Sequence, residues 1–270
     1  MTLAAPLEHT IEAYNLSAAS ENKIHDDTVA RKFGFEGGLV PGVDVYAYMM
    51  HLPVARFSPE WLSRGTADCR FHKPVYDGRN ATVGGSVAGG DSIALKVESE
   101  GVLCATGQAS LGAPQTPPEA DEIPTAPLPD HDTRPDAAPE NLVEGQIMGT
   151  HEISHGAEEN AKYVRDVRES LDLYEKEGIV HPGLILRLCN KALSLNVRLG
   201  PWIHVGSAIQ NYAAGRVGDR LAAPARVIKE YEHKGHRFVE LDVIITANGE
   251  TSLARVHHTA IYRPRQVAGG

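Results

Sequence analysis

Cysteine is scarce in this chain: three residues in 270, at positions 69, 104 and 189. An odd, widely spaced set with no CxxC pair excludes a disulfide framework and a cysteine-based zinc module, and reads as reduced thiols. Long apolar runs are absent too. None approaches the roughly 20 residues that a bilayer-spanning helix needs. The opening residues, Met-Thr-Leu-Ala-Ala-Pro-Leu-Glu-His, lack the basic and apolar regions of a secretory signal, so a cytoplasmic protein is expected. Positive charge is in deficit, with 26 Lys and Arg against 35 Asp and Glu and a net charge of -9. That balance argues against nucleic acid or an anionic membrane as the partner, while leaving room for a local basic groove. No glycine loop of a nucleotide-binding kind is present.

What the chain does contain is an ordinary globular composition, 42% hydrophobic and 23% charged, long enough for one large domain or two small ones. A lead-in strand is expected over Glu8–Asn15. It precedes a polar loop, Asn22-Lys23-Ile24-His25-Asp26-Asp27, and a short helix over Thr28–Phe33 with Asp27 as its N-cap. After the glycines at 37 and 38, Pro41 stands where a first helical turn tolerates proline. An apolar helix over Val43–Met50 follows, with Pro53 and Pro59 breaking the pattern and Trp61 in a connecting turn. Alternating runs bounded by Gly and Asp come next: Thr66–Val75, Ala81–Val87, Ser92–Ser99 and Val102–Leu111. They predict an antiparallel meander wrapped around the helix.

Between Gly112 and Asn141 the composition changes. Eight prolines fall among Asp, Glu, Thr and Ala, which reads as an extended linker without a core of its own, or simply a disordered loop. Beyond it the plan repeats. Gly178-Ile179-Val180-His181-Pro182-Gly183 echoes Gly38-Leu39-Val40-Pro41-Gly42 with one residue inserted, and an apolar helix is expected over Leu184–Leu199. Strands are expected over Ile203–Tyr212, Arg220–Tyr231, Arg237–Ala247 and Ser252–Arg263. The turn at 217–220 repeats that at 76–79 about 141 residues on. A common offset argues for duplication. The expected division is residues 1–112, a linker over 113–141, and residues 142–270, in an α+β fold.

Asn22, His25 and Asp27, then Gly34-Phe35 and Gly42, resemble the hydratase motif of MaoC-like (R)-specific enoyl-CoA hydratases and dehydratases, a hot-dog-fold family. Ser20 stands where that motif has its catalytic aspartate, Lys23 where it has proline, and Pro41 where it has the histidine of a His-Gly pair. The resemblance implies a double hot dog, two tandem copies of a long helix wrapped by an antiparallel sheet. It also implies a lyase that adds water to, or removes it from, a 2-enoyl or 3-hydroxyacyl thioester. Coenzyme A would be part of the substrate, no further cofactor is implied, and such fused pairs could associate as homodimers.

On that reading His25 is the acid/base, with Glu21 and Asp26 the nearest carboxylates able to assist it. Asn22 orders the loop. The N–H groups of Gly42 and Val43 would face the thioester oxygen as it gains charge. Arg70 and Lys73, with Arg79 beside them, are candidates for the phosphates of coenzyme A. In the second half, Tyr163-Val164-Arg165-Asp166 occupies the place of Lys23-Ile24-His25-Asp26, so that half lacks the histidine and retains only Asp166 and His181 as possible remnants. His204, His233, His236, His257 and His258 lack metal-ligand spacing, and no metal is expected. Two other functions fit the same residues: a thioesterase in which Glu21 or Asp26 matters more than His25, and a non-catalytic acyl-CoA-binding or partner subunit.

Overall fold

Ile93, Leu95 and Val97 alternate with polar or small neighbours, and in a computed structural model of the chain all three are buried. A period of two turns such residues to one face of a sheet. The structure describes residues 7–18, 20–32 and 34–265. The first half supplies β1 (Leu7–Glu12), β2 (Gly65–Phe71), β3 (Asn80–Val87), β4 (Ser92–Ser99) and β5 (Val102–Leu111). The second supplies β6 (Ile147–Ser154), β7 (Ile203–Asn211), β8 (Arg220–His233), β9 (His236–Ala247) and β10 (Thr251–Arg263).

All ten strands join in one antiparallel sheet, ordered β1-β3-β4-β5-β2-β7-β10-β9-β8-β6. Read inward from either edge the two halves have the same order, so equivalent strands meet in the middle. There Asp68 of β2 lies opposite Ala208 of β7, positions 140 apart, as a local twofold axis through that pair requires. The bridges Leu39–Tyr76 and Ile179–Arg216 carry the same displacement. The repeat is therefore 140 residues at the helix starts, not about 141 with an insertion, and Pro41 corresponds to His181.

Each half contributes a central helix to the inner face: α2 (Gly42–Phe57) and α6 (Pro182–Ser194), after the short α1 (Asp27–Lys32). Pro53 does not end α2. Leaving one carbonyl without its donor costs about 3 kcal/mol in a helix interior. Burial of each of Leu52 and Val54 returns roughly 1.5–3 kcal/mol, so the helix continues to Phe57. Trp61 is likewise not in a turn. It opens α3 (Trp61–Arg64) and is fully buried. The second half also has α4 (Ala157–Asp166) and α5 (Leu173–Lys176).

The proline-rich segment is ordered. It has no strand and only two single 3-10 turns, at His131–Thr133 and Pro139–Asn141, but it straps the second half. Ala126 and Thr150 exchange hydrogen bonds, Arg198 N–H donates to Pro135 O, and Ile123 is fully buried. A loop with satisfied backbone groups and a buried anchor is not a disordered one.

Two polar contacts tie α2 to the second half. Asp44, fully buried, receives Nε and Nη2 of Arg187 at 2.8 and 2.6 Å. Glu169 receives Nδ1–H of His51 at 2.8 Å and faces Nε2 of His181 at 3.5 Å, long for a hydrogen bond. Burial pushes the Glu169 carboxyl up, but the contacts with His181 and His51 outweigh it and hold it below its ordinary value. His9 stacks on His51 at 3.7 Å, and burial lowers it to about 4.

Asp44→Ala leaves the Arg187 guanidinium without its buried partner, and urea unfolding should show a loss of about 3 kcal/mol. Replacing both partners with leucine and methionine should recover most of that loss. Glu169 gives a pH signature. Its depressed native value means that its contribution is complete above the unfolded value of 4.5 and is lost as pH falls below it. Glu169→Gln should therefore be less stable at pH 7 and lose less stability than the parent between about pH 4.5 and pH 2.

Candidate functional site

The loop before α2 is organised by amides. Asn15 accepts the Ser17 N–H through Oδ1 and donates through Nδ2 to His25 O. Asn22 crosses between the halves, donating from Nδ2 to Trp202 O at 3.0 Å while Trp202 N–H reaches its Oδ1 at 3.4 Å. Residues Lys23–His25 form one 3-10 turn. Asp26 Oδ1 then accepts the N–H groups of Thr28 and Val29, so Asp26 performs the capping expected of Asp27. The short helix is Asp27–Lys32, and Phe33 lies outside the described residues.

This loop fixes His25. Its Nδ1–H donates to Leu39 O at 2.7 Å, and a ring that donates from Nδ1 keeps its lone pair on Nε2. Among the described residues Nε2 meets only the Asn22 amide, at 3.4 Å. Burial lowers the pKa of His25, against smaller raising contributions from Leu39 O and Asp44. The imidazole is therefore neutral near pH 7, with a basic nitrogen available.

His25 stands between two cavities of about 300 and 310 Å³. Asn22, Pro41, Asn190 and Trp202 line both alongside it. The first is largely apolar, with Leu39, Val45, Phe71 and Ile261 in its wall, and it includes Gly42, Lys73 and His204. The second is more polar and includes Ser20, Glu21, Val43, Arg187 and Lys191. Both halves of the chain contribute to each, because β7 lies beside β2.

The start of α2 differs from its counterpart. Pro41 offers no side-chain cap, and no described residue accepts from the N–H of Gly42 or Val43. Such a helix end favours negative charge. At α6 the equivalent residue is His181, whose Nδ1 accepts the Gly183 N–H at 3.0 Å. Tyr163 and Tyr174 pack their rings against His181, and a methyl group at Gly183 would lie 2.4 Å from Tyr163 Oη. The second helix start is filled by its own side chains.

The remaining expected residues divide. Glu21 lies on the rim of the second cavity, exposed, with its oxygens on His131 and Arg134 at 3.2 and 3.1 Å. Ser20 lines the same cavity and donates to Asn22 O. Asp26 lines neither cavity, because its carboxylate is spent on α1. Lys73 is at the mouth of the first cavity, whereas Arg70 is exposed on β2 and lines neither. Arg79 pairs with Glu36 and Glu100. Asp166 pairs with Lys162 within α4, and His257 with Glu240. Among the described residues, no group of three His, Cys, Asp or Glu is placed to hold a metal ion. No described helix is long and apolar enough to cross a membrane.

Sequence reasoning missed His204, Asn190, Trp202 and the buried Asp44. The first three share a cavity with His25 from more than 160 residues along the chain, which no local pattern reports.

No protein-family profile and no curated protein sequence matches the chain. Solved structures do. A Mycobacterium tuberculosis protein with a double hotdog fold is 12% identical, with a TM-score of 0.60 and 96% of each chain covered. A candidate MaoC domain dehydratase from Chloroflexus aurantiacus is 13% identical, with a TM-score of 0.59 over 99% of this chain and 97% of that one. A candidate thioesterase II from Thermobifida fusca is 15% identical, with a TM-score of 0.53 over 96% and 93%. The likeness spans both halves and the sheet between them. The chain has the double hotdog fold.

Proposed function

We propose that the chain is a MaoC-like lyase that adds water to, or removes it from, a 2-enoyl or 3-hydroxyacyl thioester of coenzyme A. One observation carries this reading. A neutral imidazole, locked through Nδ1–H onto Leu39 O, holds its Nε2 lone pair at two cavities beside the uncapped start of α2.

In the hydration direction the thioester oxygen lies against the N–H groups of Gly42 and Val43. His25 Nε2 takes a proton from water as the water oxygen bonds C3. The electron pair of the C2–C3 double bond moves toward the carbonyl, and the resulting negative charge gathers on the thioester oxygen at the helix start, where it is worth most. Nε2–H then returns the proton to C2. Dehydration is the reverse. Because Ser20 stands where the resembling motif has aspartate, His25 both takes and returns the proton, and Ser20 and Asn22 serve to hold the water. Lys73, at the cavity mouth, is the cation in position for a phosphate of coenzyme A.

A thioesterase reading rests on the same geometry, because Nε2 could equally direct water to the carbonyl carbon. The products separate the two: hydration consumes the conjugated double bond, whereas hydrolysis releases free thiol.

With crotonyl-CoA, loss of absorbance of the conjugated thioester without thiol release is expected. His25→Ala should lower kcat about 10²–10⁴-fold while the fold, checked by circular dichroism, is retained. Equal rates in the two proteins would remove His25 from the chemistry. The pH profile has a defined sign. The base must be unprotonated and burial lowers its pKa from the ordinary histidine value, so the fall of kcat/KM on acidification should come at a lower pH than for an ordinary histidine.

A further inference from the structure

The way the two central helices face each other sets one further side chain at the site. Arg187 of α6 pairs with Asp44 of α2, and a methyl group at Gly183 would lie 2.5 Å from Ala47 Cβ. Contacts that approach the start of α2 thus approach the end of α6, so the helices run antiparallel. About one turn beyond Arg187, Asn190 comes level with Pro41. Both residues line both cavities, with Gly42 beside them in the first and Val43 in the second. Asn190 therefore brings an amide from the second half to the start of α2. Its counterpart 140 residues earlier is Met50, fully buried and without a donor, so the same symmetry sets no amide at the filled start of α6.

One end of that amide is taken. Oδ1 accepts Nε2–H of His258 at 3.0 Å. Burial holds His258 well below the ordinary histidine value, so its ring is neutral and carries its one proton on Nε2. Its Nδ1 accepts Ser207 Oγ–H at 2.9 Å, which fixes the ring from behind. The other end is open. Nδ2 donates to no described residue, yet it keeps accessible surface and is not one of the buried polar atoms without a partner. Asn190 is only partly buried, and its open surface faces the cavities it lines. An amide N–H therefore stands unused beside the N–H groups of Gly42 and Val43.

We propose that Asn190 is a further catalytic residue, whose Nδ2–H donates to the thioester oxygen together with the start of α2. His258 and Ser207 are positioning residues that keep Nδ2, and not Oδ1, turned to the cavity. The inference rests on the thioester reading above and adds a donor from the second half, so that both halves of the chain hold one oxygen. A fixed N–H aimed where negative charge develops is worth more in the transition state than in the ground state. Its loss therefore falls on kcat more than on binding. No atom or proton is transferred to or from Asn190; it polarises the carbonyl while His25 moves the proton.

The test joins kinetics to the infrared spectrum of a bound thioester. With crotonyl-CoA, Asn190→Ala should lower kcat about 10²-fold or more, with KM changed less than about threefold. Asn190→Asp has the same shape and still accepts from His258, but turns a carboxylate oxygen to the cavity, so it should lose at least as much. It also serves if the alanine variant does not fold. Parental kcat in either variant overturns the proposal, as does a loss confined to KM. The second readout is independent of turnover. Butyryl-CoA labelled with carbon-13 at the carbonyl is bound to His25→Ala and to His25→Ala/Asn190→Ala. The carbonyl stretch should lie at lower frequency in the first than in the second, and equal frequencies overturn the proposal. A shift that depends on Asn190, without crotonyl-CoA turnover by the parent protein, would refute the lyase and leave the donor standing. Turnover with no such shift would do the reverse, and failure of both proteins to bind the thioester would refute both.

Discussion

The antiparallel pairing of β2 with β7 is the constraint on which the rest depends. It places Asp68 opposite Ala208 on a local twofold axis and closes two five-stranded halves into one sheet. A tight contact enforces it. A methyl group at Gly206 would lie 2.6 Å from Cys69 O, so a side chain larger than hydrogen there would part the strands at the seam. With the seam closed, α2 and α6 lie against each other, and Asp44 receives Arg187, and Glu169 receives His51, from the opposite half. The same pairing puts Trp202 and His204 beside the loop that carries His25. The site is therefore a product of the junction, not of either half.

Duplication supplied two equivalent helix starts, and the side chains have driven them apart. At α2, proline leaves the first amides uncapped and a cavity in front of them. At α6, His181 caps the amide, Glu169 sits behind it, and Tyr163 and Tyr174 fill the space. One copy keeps an opening where charge can develop. The other gives that opening up for packing, and its polar groups serve to hold α2 in place. A single residue difference, Pro41 against His181, accounts for much of this division.

Much of the fold is legible in the sequence, because strands of this sheet have one buried face and turns rich in glycine and aspartate. Ser92–Ser99 and Val102–Leu111 are found at their expected ends. The helix starts are legible as well, through glycine and proline. What was not legible depends on burial or distance. Pro53 looks like a helix breaker until the apolar contacts of Leu52 and Val54 are weighed against it. Trp61 looks like a turn residue until it is found inside the core. His25 could be singled out because its loop has a pattern. Asp26 could not be separated from Asp27 as the capping residue by spacing alone. His204 had no signal at all, because a histidine in a strand reads the same whether it faces water or a cavity formed by the other half.

The central claim is that the start of α2 and the His25 imidazole act on one thioester. A crystal structure with an unreactive acyl-CoA analogue measures it most directly. The thioester oxygen should lie within hydrogen-bond distance of the Gly42 or Val43 N–H, with C2 and C3 facing His25 Nε2. A ligand bound at the start of α6, or on the outer face of the sheet away from His25, would contradict the account.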